Sequence, residues 1–350
     1  MGLIIDLNKL EHNAKTLLEF CNSKGISVAA VTKVFCADLK MTEVLCKLPF
    51  EFLADSRLEN IESYPKSRKC RTMLLRLPRH SEALRVVQNC DVSLNSEIST
   101  LEKLAEAAKS AKVNHGIILM VDLGDLREGI YHNNEELIIK TTEFVRAQEN
   151  LTLEGIGTNL ACYGSVLPTH ENLQKLCGFA DKLGVKLISG GNSNTLDLLE
   201  KGGVPAKINN LRLGESIVCG LETAYGNPFT GLKQDIVTLK AEIIEIMEKP
   251  SMPEGELGMN AFGEKPVYID KGIRKKALLA VGRQDTNYEG LGCLEQGIEI
   301  VGSSSDHLIV DITEAEREMK AGDGLVFSLS YGAVLAGFTS KYIDREYIEG

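Results

Sequence analysis

Through its first two-thirds the chain alternates two spacings of apolar residues. Residues 6–25 carry Leu10, Ala14, Leu17 and Leu18 at helical intervals, with Asp6 placed to cap the start and Gly25 to end it. A short apolar run of strand type follows, ISVAAVTK (26–33). Similar runs recur at FEFLADS (50–56), RTMLLRL (71–77), DVSLN (91–95) and HGIILMVDLG (115–124), then at LTLEGIGTNL (151–160), KLISGGN (186–192) and NNLRLGE (209–215). Helical patterns separate them, clearest in SEISTLEKLAEAAKSAK (96–112) and HENLQKLCGFADKLG (170–184). Parallel strands need crossover connections, and eight strand–helix units close naturally into a (β/α)8 TIM barrel. A doubly wound open sheet is the alternative, but no GxGxxG turn follows the first strand and no GxxxxGK[ST] occurs.

Beyond about residue 230 the texture changes. IVTLKAEIIEIMEK (236–249), KPVYI (265–269), ALLAVG (277–282), a run around 297–302, HLIVDIT (307–313) and GLVFSLS (324–330) read as strands with little helix between them. Pro250, Pro253, Gly255, Gly258, Gly263 and Gly272 punctuate the intervals. The expected organisation is an α/β barrel over 1–230 followed by a smaller all-β domain over 231–350, consistent with a chain of 350 residues.

Composition narrows the function classes. Hydrophobic residues make up 43% and charged residues 25%, ordinary for a soluble enzyme, and the net charge is −10 with acids and bases interspersed. Nucleic acids and anionic membranes reward clustered Lys and Arg, so neither is an expected partner. No apolar run is long enough to span a membrane, and MGLIIDLNKLEHN lacks the basic and apolar regions of a secretory signal. Nine scattered cysteines, none in a CxxC pair, fit free thiols in a reducing cytoplasm.

In such a barrel the chemistry sits at the C-terminal ends of the strands. Read there, the sequence offers Lys33 after the first strand, Arg127 after the fifth, Asn159 at the sixth, Asn192 and Ser193 after the seventh, and Arg212 with Gly214 at the eighth. Lys33 closes an otherwise apolar run, where desolvating an ammonium is costly and Schiff-base chemistry is favoured. By itself it is equally a lysine reaching to solvent or pairing with a carboxylate. Ser193, with Gly190 and Gly191 upstream and a helix downstream, suits a phosphate, and Gly214 offers a second backbone donor; a simple N-cap and a turn glycine are the plain alternatives. Arg212, if it faces inward, would keep a pyridine nitrogen beside it unprotonated; if outward, it belongs to a structural ion pair.

Together these features resemble the alanine racemase family of fold-type III enzymes that use pyridoxal 5′-phosphate (PLP). AAVTKVF is similar to the family's lysine motif and places the Schiff-base lysine at Lys33. DLGDLREG (122–129) resembles the motif carrying the substrate-carboxylate arginine, at Arg127, and TNLA (158–161) resembles T-H-F-A, with Asn159 in place of histidine. GNSNT (191–195) is similar to the phosphate loop, at Asn192 and Ser193. RLGESIVCG (212–220) resembles the segment with the pyridine-nitrogen arginine, at Arg212, and a phosphate-binding N–H at Gly214 or Glu215. The resemblance implies a PLP-dependent amino-acid racemase, a homodimer with shared active sites, no metal, and a phosphate contact from Tyr331.

The departures are informative. The family's second acid/base tyrosine has no counterpart in GELGMNAFGEK (255–265), its phosphate tyrosine is Ala37, and its modified lysine falls on Met120. GELGMNAFGEKP, GRQD (282–285) and SSSDHL (303–308) resemble instead the ornithine racemase branch. D-amino-acid aldolases and dehydratases share the barrel, but their metal ligands fall here on Tyr331 and Ala333. A non-catalytic PLP-homeostasis protein would lack the β-domain. The expectation is racemisation of ornithine, or lysine, through two bases: Lys33 on one face and His307 on the other, with Tyr268 and Asp306 in reserve. Asp306, or Asp285, is the candidate partner for the substrate's side-chain ammonium.

Overall fold

The computed structural model describes residues 1–349 as two compact units, Leu7–Gln234 and a second made of Met1–Asp6 with Asp235 onward. β1 (Gly2–Asp6) belongs to the second unit. In the first unit, β2 (Ser27–Val31), β3 (Phe52–Asp55), β4 (Arg71–Leu74), β5 (Val92–Asn95) and β6 (His115–Asp122) pair in parallel and in order. β7 (Ile130–Tyr131) is a short outer addition to β6, and β8 (Leu151–Gly157), β9 (Leu187–Ser189) and β10 (Asn210–Leu213) complete the ring, closed by parallel pairing of β10 with β2. This is the expected eight-stranded barrel, and each barrel strand falls within one of the eight apolar runs.

The strands are apolar on both faces because both are covered. Ala29, Val31, Phe52, Ala54, Met73, Val92, Leu94, Ile118 and Met120 form one buried cluster. The alternate residues of β6, Leu119 and Val121, pack with Ile156, Ile138, Leu173 and Leu176, the last three carried on the helices Glu135–Arg146 and His170–Leu183. The first helix, Leu7–Ser23, buries Leu10, Ala14, Leu17 and Leu18 as their spacing predicts. Asp6, its expected cap, directly precedes it as the last residue of β1 and donates its N–H to the Ile236 carbonyl at 2.8 Å.

The second unit is an antiparallel sheet of β11 (Val237–Pro250), β12 (Ile273–Leu279), β13 (Leu291–Cys293), β14 (Glu299–Ser303), β15 (Leu308–Asp311) and β16 (Gly324–Leu329), in the order β13-β16-β11-β12-β15-β14. β1 joins it by pairing antiparallel with β11 and parallel with β17 (Asp344–Ile348), which buries Leu3 and Ile5. Two details differ from the sequence reading. KPVYI (265–269) is not a strand but part of the exposed connection between β11 and β12, and Tyr331–Thr339 is a helix. Among the described residues no helix is long and apolar enough to cross a membrane.

Candidate active site

The turn after β2 is held from behind. The strand stops at Val31, two residues short of the end expected at Lys33, and Lys33, half-buried, opens a single 3-10 turn, Lys33–Phe35. Thr32 anchors that turn: its carbonyl accepts the N–H groups of Phe35 and Ala37, both at 3.2 Å. Its hydroxyl donates to Asp55 Oδ2 at 2.6 Å and lies 2.7 Å from the Tyr64 hydroxyl. All three side chains are buried, and burial pushes the Asp55 carboxyl up against the lowering effect of its hydrogen bonds.

The corner after β9 and β10 is rich in backbone N–H groups. Gly191 adopts φ +121°, and a Cβ there would lie 2.6 Å from Thr195 Oγ1. The turn leads through Asn192 and buried Ser193 to the short helix Thr195–Glu200, so Asn194 rather than Ser193 takes the N-cap position. Ser193 Oγ accepts the Ser216 N–H at 3.3 Å, tying this turn to the first turn of the helix Glu215–Cys219. Gly214 lies against the end of β2: a Cβ there would sit 2.9 Å from Val31 Cβ. Burial raises the Glu215 carboxyl and the charge of Lys33 opposes the rise, which puts Lys33 within electrostatic reach of this corner. Ser216 Oγ is buried without a hydrogen-bond partner.

A second group lies across the loops after β6 and β8. Arg212 faces inward and is buried, donating to Ser189 Oγ at 2.5 Å and to the Thr158 carbonyl at 2.6 Å, and burial lowers its pKa to about 10. Asn159 Oδ1 accepts from Asn192 Nδ2 at 2.9 Å, while its own Nδ2 is buried without a partner. Arg127 is gripped by Glu128 through Nε and Nη2, and those hydrogen bonds hold its pKa above the usual arginine value. Burial works to raise the Glu128 carboxyl, but the hydrogen bonds and charge of Arg127, with the charge of Arg212, outweigh it and hold it low. The loop 160–166 is pinned by buried Asp125, whose carboxylate accepts the N–H groups of Cys162, Tyr163 and Val166 at 3.3, 3.1 and 3.4 Å.

Backbone strain gathers at this end of the barrel. Cys36, Ala37, Leu126, Ala161 and Ser165 have φ between +50° and +59°, all in loops that follow β2, β6 and β8. Met120 is buried in the apolar interior with its sulfur 3.1 Å from where a Cβ on Gly157 would lie.

In the β-unit, the three stretches that set this sequence apart fold together. Arg283 and Gln284 donate their N–H groups to the carbonyls of Ser304 and Ser305 at 3.0 and 3.1 Å, and Gln284 Nε2 donates to Asp306 Oδ1 at 2.7 Å. Arg283 also pairs with Glu264 at 2.8 Å and stacks 4.1 Å from the centre of the Phe262 ring. His307 closes this tight turn between β14 and β15, its N–H donating to Ser304 Oγ at 3.1 Å and its carbonyl accepting from Ser304 N–H at 2.8 Å. Asp306 is exposed, whereas Asp285 is buried and accepts the Gly282 N–H at 3.0 Å and the Ser340 hydroxyl at 3.3 Å. Tyr268 is exposed on the β11–β12 connection, and Tyr331 is the first residue of the helix Tyr331–Thr339.

The structure thus brings Lys33, Ser193, Gly214 and Glu215 to one corner of the barrel mouth, and Arg127, Asn159 and Asn192, on adjoining loops, to the neighbourhood of Arg212 on β10. Sequence reasoning passed over Glu128, Asp125 and the Thr32–Asp55–Tyr64 set. For Glu128 the signal was present, a glutamate directly following the candidate arginine in DLREG.

Residues 5–221 match the family model described as alanine racemase, N-terminal domain. Two curated relatives align over nearly the whole chain. An ornithine racemase from Acetoanaerobium sticklandii is 45% identical over 99% of both chains, and a lysine racemase from Thermotoga maritima is 36% identical over 99% of this chain and 98% of its own. Among solved structures, alanine racemase from Bartonella henselae with covalently bound pyridoxal phosphate superposes with a TM-score of 0.74 at 18% identity, covering 99% of both chains.

Proposed function

Because the chain belongs to the alanine racemase family and is an amino-acid racemase, we propose that it interconverts the L and D forms of ornithine, with lysine the second choice, using PLP carried on Lys33. The observation that carries this reading is the convergence of a lysine, a serine turn and a buried arginine on one barrel mouth, in a chain similar over its full length to an ornithine racemase. The residues present fit the cofactor. Ser193, with the first turns of the two short helices, suits a phosphate. Buried Ser216 Oγ and Asn159 Nδ2 each lack a partner that a polar ligand would supply.

When bound, PLP supplies an electron sink that acidifies the proton on the amino acid's Cα. The chain's own residues do the rest. Lys33 takes or returns that proton on one face. Ser193, the backbone at Gly214 and Glu215, and Asn192 would hold the phosphate. Arg212, which stays a cation under ordinary conditions and donates without accepting, keeps the ring nitrogen unprotonated. Arg127 and Asn159 receive the substrate carboxylate.

The opposite face needs a second acid/base, because one group alone returns the proton to the side it came from. We assign it to the β-unit of a partner chain, with His307 first and Tyr268 and Asp306 after it. Asp306, exposed beside His307, is the assigned partner of the side-chain ammonium; the burial of Asp285 favours Asp306 over it. A two-fold dimer with shared sites is supported by the exposed apolar residues Leu257, Met259, Val267 and Ile269 on the β11–β12 connection. Free thiols throughout support a cytoplasmic location.

The test is a side-by-side racemisation assay of ornithine, lysine, alanine and serine with PLP-loaded protein. Ornithine is expected to turn over fastest. Preference for alanine would overturn the substrate assignment, and release of aldehyde or ammonia would replace racemisation by aldol cleavage or dehydration.

A further inference from the structure

Arg127 stands at the tip of a loop with little freedom. Asp122 Oδ1 accepts the N–H groups of Gly124 and Leu126 at 2.8 and 3.2 Å, and β7 pairs back onto the end of β6. Gly129, at φ +120°, packs so closely that a Cβ would lie 2.5 Å from the Asp122 nitrogen. Backbone rigidity does not fix a long side chain, however, and 44% of the Arg127 side chain is exposed. What fixes it is Glu128, itself only 17% exposed, which binds the side edge of the guanidinium through Nε and Nη2. The Cys162 thiol also lies against the guanidinium, and the donors that Glu128 and Cys162 do not take remain for a second planar anion.

Charge points the same way. Arg127 and Arg212 are near enough to repel one another, and Glu128 attracts both. The barrel-interior residues near the end of β6, Ile118 and Met120, are apolar and give the arginines no anionic partner. Two guanidinium cations and one carboxylate leave a single positive charge, the complement of one substrate carboxylate. Without Glu128 the loop would present two mutually repelling cations, one of them free to turn away.

We propose that Glu128 is the positioning residue for substrate recognition: it holds Arg127 side-on so that the remaining guanidinium donors receive the α-carboxylate of the amino acid. This rests on the assignment of Arg127 to that carboxylate. Glu128 does not touch the reacting atoms. It acts through Arg127, and its removal therefore weakens binding of carboxylate-bearing ligands selectively.

The experiment uses the PLP-loaded enzyme and two fragments of ornithine as calorimetric probes: 5-aminopentanoate, which keeps the carboxylate, and 1,4-diaminobutane, which lacks it. Glu128→Gln is expected to weaken 5-aminopentanoate about tenfold, the equivalent of one charge-assisted contact, and to leave 1,4-diaminobutane within about twofold. The KM for the amino acid should rise in parallel while kcat stays within about threefold. Glu128→Asp should recover part of the loss, and in an Arg127→Ala background Glu128→Gln should have no further effect. Equal weakening of both probes, no weakening of either, or a full effect that persists without Arg127 would each overturn the proposal. If Arg127→Ala alone leaves 5-aminopentanoate binding unchanged, the assignment of Arg127 itself falls, and the role of Glu128 falls with it.

Discussion

His115 shows how a single buried residue makes stability depend on pH. It opens β6, fully buried, with Nδ1 3.1 Å from the Cys90 carbonyl and Nε2 2.7 Å from Ser93 Oγ. Those partners suit a neutral ring that donates from Nδ1 and accepts at Nε2. Burial is the main cause that lowers its pKa to about 4. The folded value is depressed below the unfolded one, so the unfolded chain binds the extra proton first. The contribution is present in full above the ordinary histidine pKa and is lost as pH falls toward 4, by about 3 kcal/mol in all. Urea unfolding of wild type and His115→Gln across this window should show their stability difference shrinking by about that amount on acidification. Parallel curves would mean that the ring is already charged in the fold. At this scale the sequence was legible where a residue clashed with its surroundings. Lys33 in an alanine–valine run and Arg212 in a buried strand are conspicuous. Asp125, Asp55 and Glu128 are ordinary polar residues until distant segments meet.

Among the elements, the loops after the barrel strands carry the specific geometry. Asp125 is the tie between two of them, one carboxylate accepting three backbone N–H groups from the loop 160–166. Asp125→Ala removes the acceptors and leaves those donors to water. The expected outcome is a loss of about 2 kcal/mol of unfolding free energy and faster proteolysis around Tyr163, with Asp125→Asn milder because its amide oxygen still accepts. Unchanged proteolysis would show that the loop is held by other contacts. The barrel strands were readable because a parallel strand covered on both faces is a short, continuous apolar run. β1 and β17 were not, because each depends on the partner that the other and β11 provide. The helix Tyr331–Thr339 also hid: its buried residues Ala333, Val334, Gly337 and Phe338 follow helical spacing, but the segment is apolar almost throughout and no polar face marks its period.

For the whole molecule, the chain's first six residues leave the barrel and complete the β-unit, so the units do not follow a single cut near residue 230. That arrangement is invisible to periodicity, which reads segments one at a time. The exposed apolar connection between β11 and β12 carries the expectation of a dimer, in which it is covered. Sedimentation equilibrium should give twice the chain mass at assay concentration, and replacing Val267 and Ile269 together by Asp should give monomers of much reduced activity. A fully active monomer would remove the shared site.

Exchange of the Cα proton of a basic amino acid by Lys33 is the central step of the proposed reaction. L-Ornithine incubated in D2O with the PLP-loaded protein tests this directly, with chiral separation and mass spectrometry of the product. The expected result is convergence on equal amounts of the two enantiomers, D-ornithine carrying one deuterium at Cα, and no exchange or conversion with Lys33→Ala. D-ornithine without deuterium, undiminished racemisation by Lys33→Ala, or L-ornithine left unchanged and unlabelled by the wild type would contradict it.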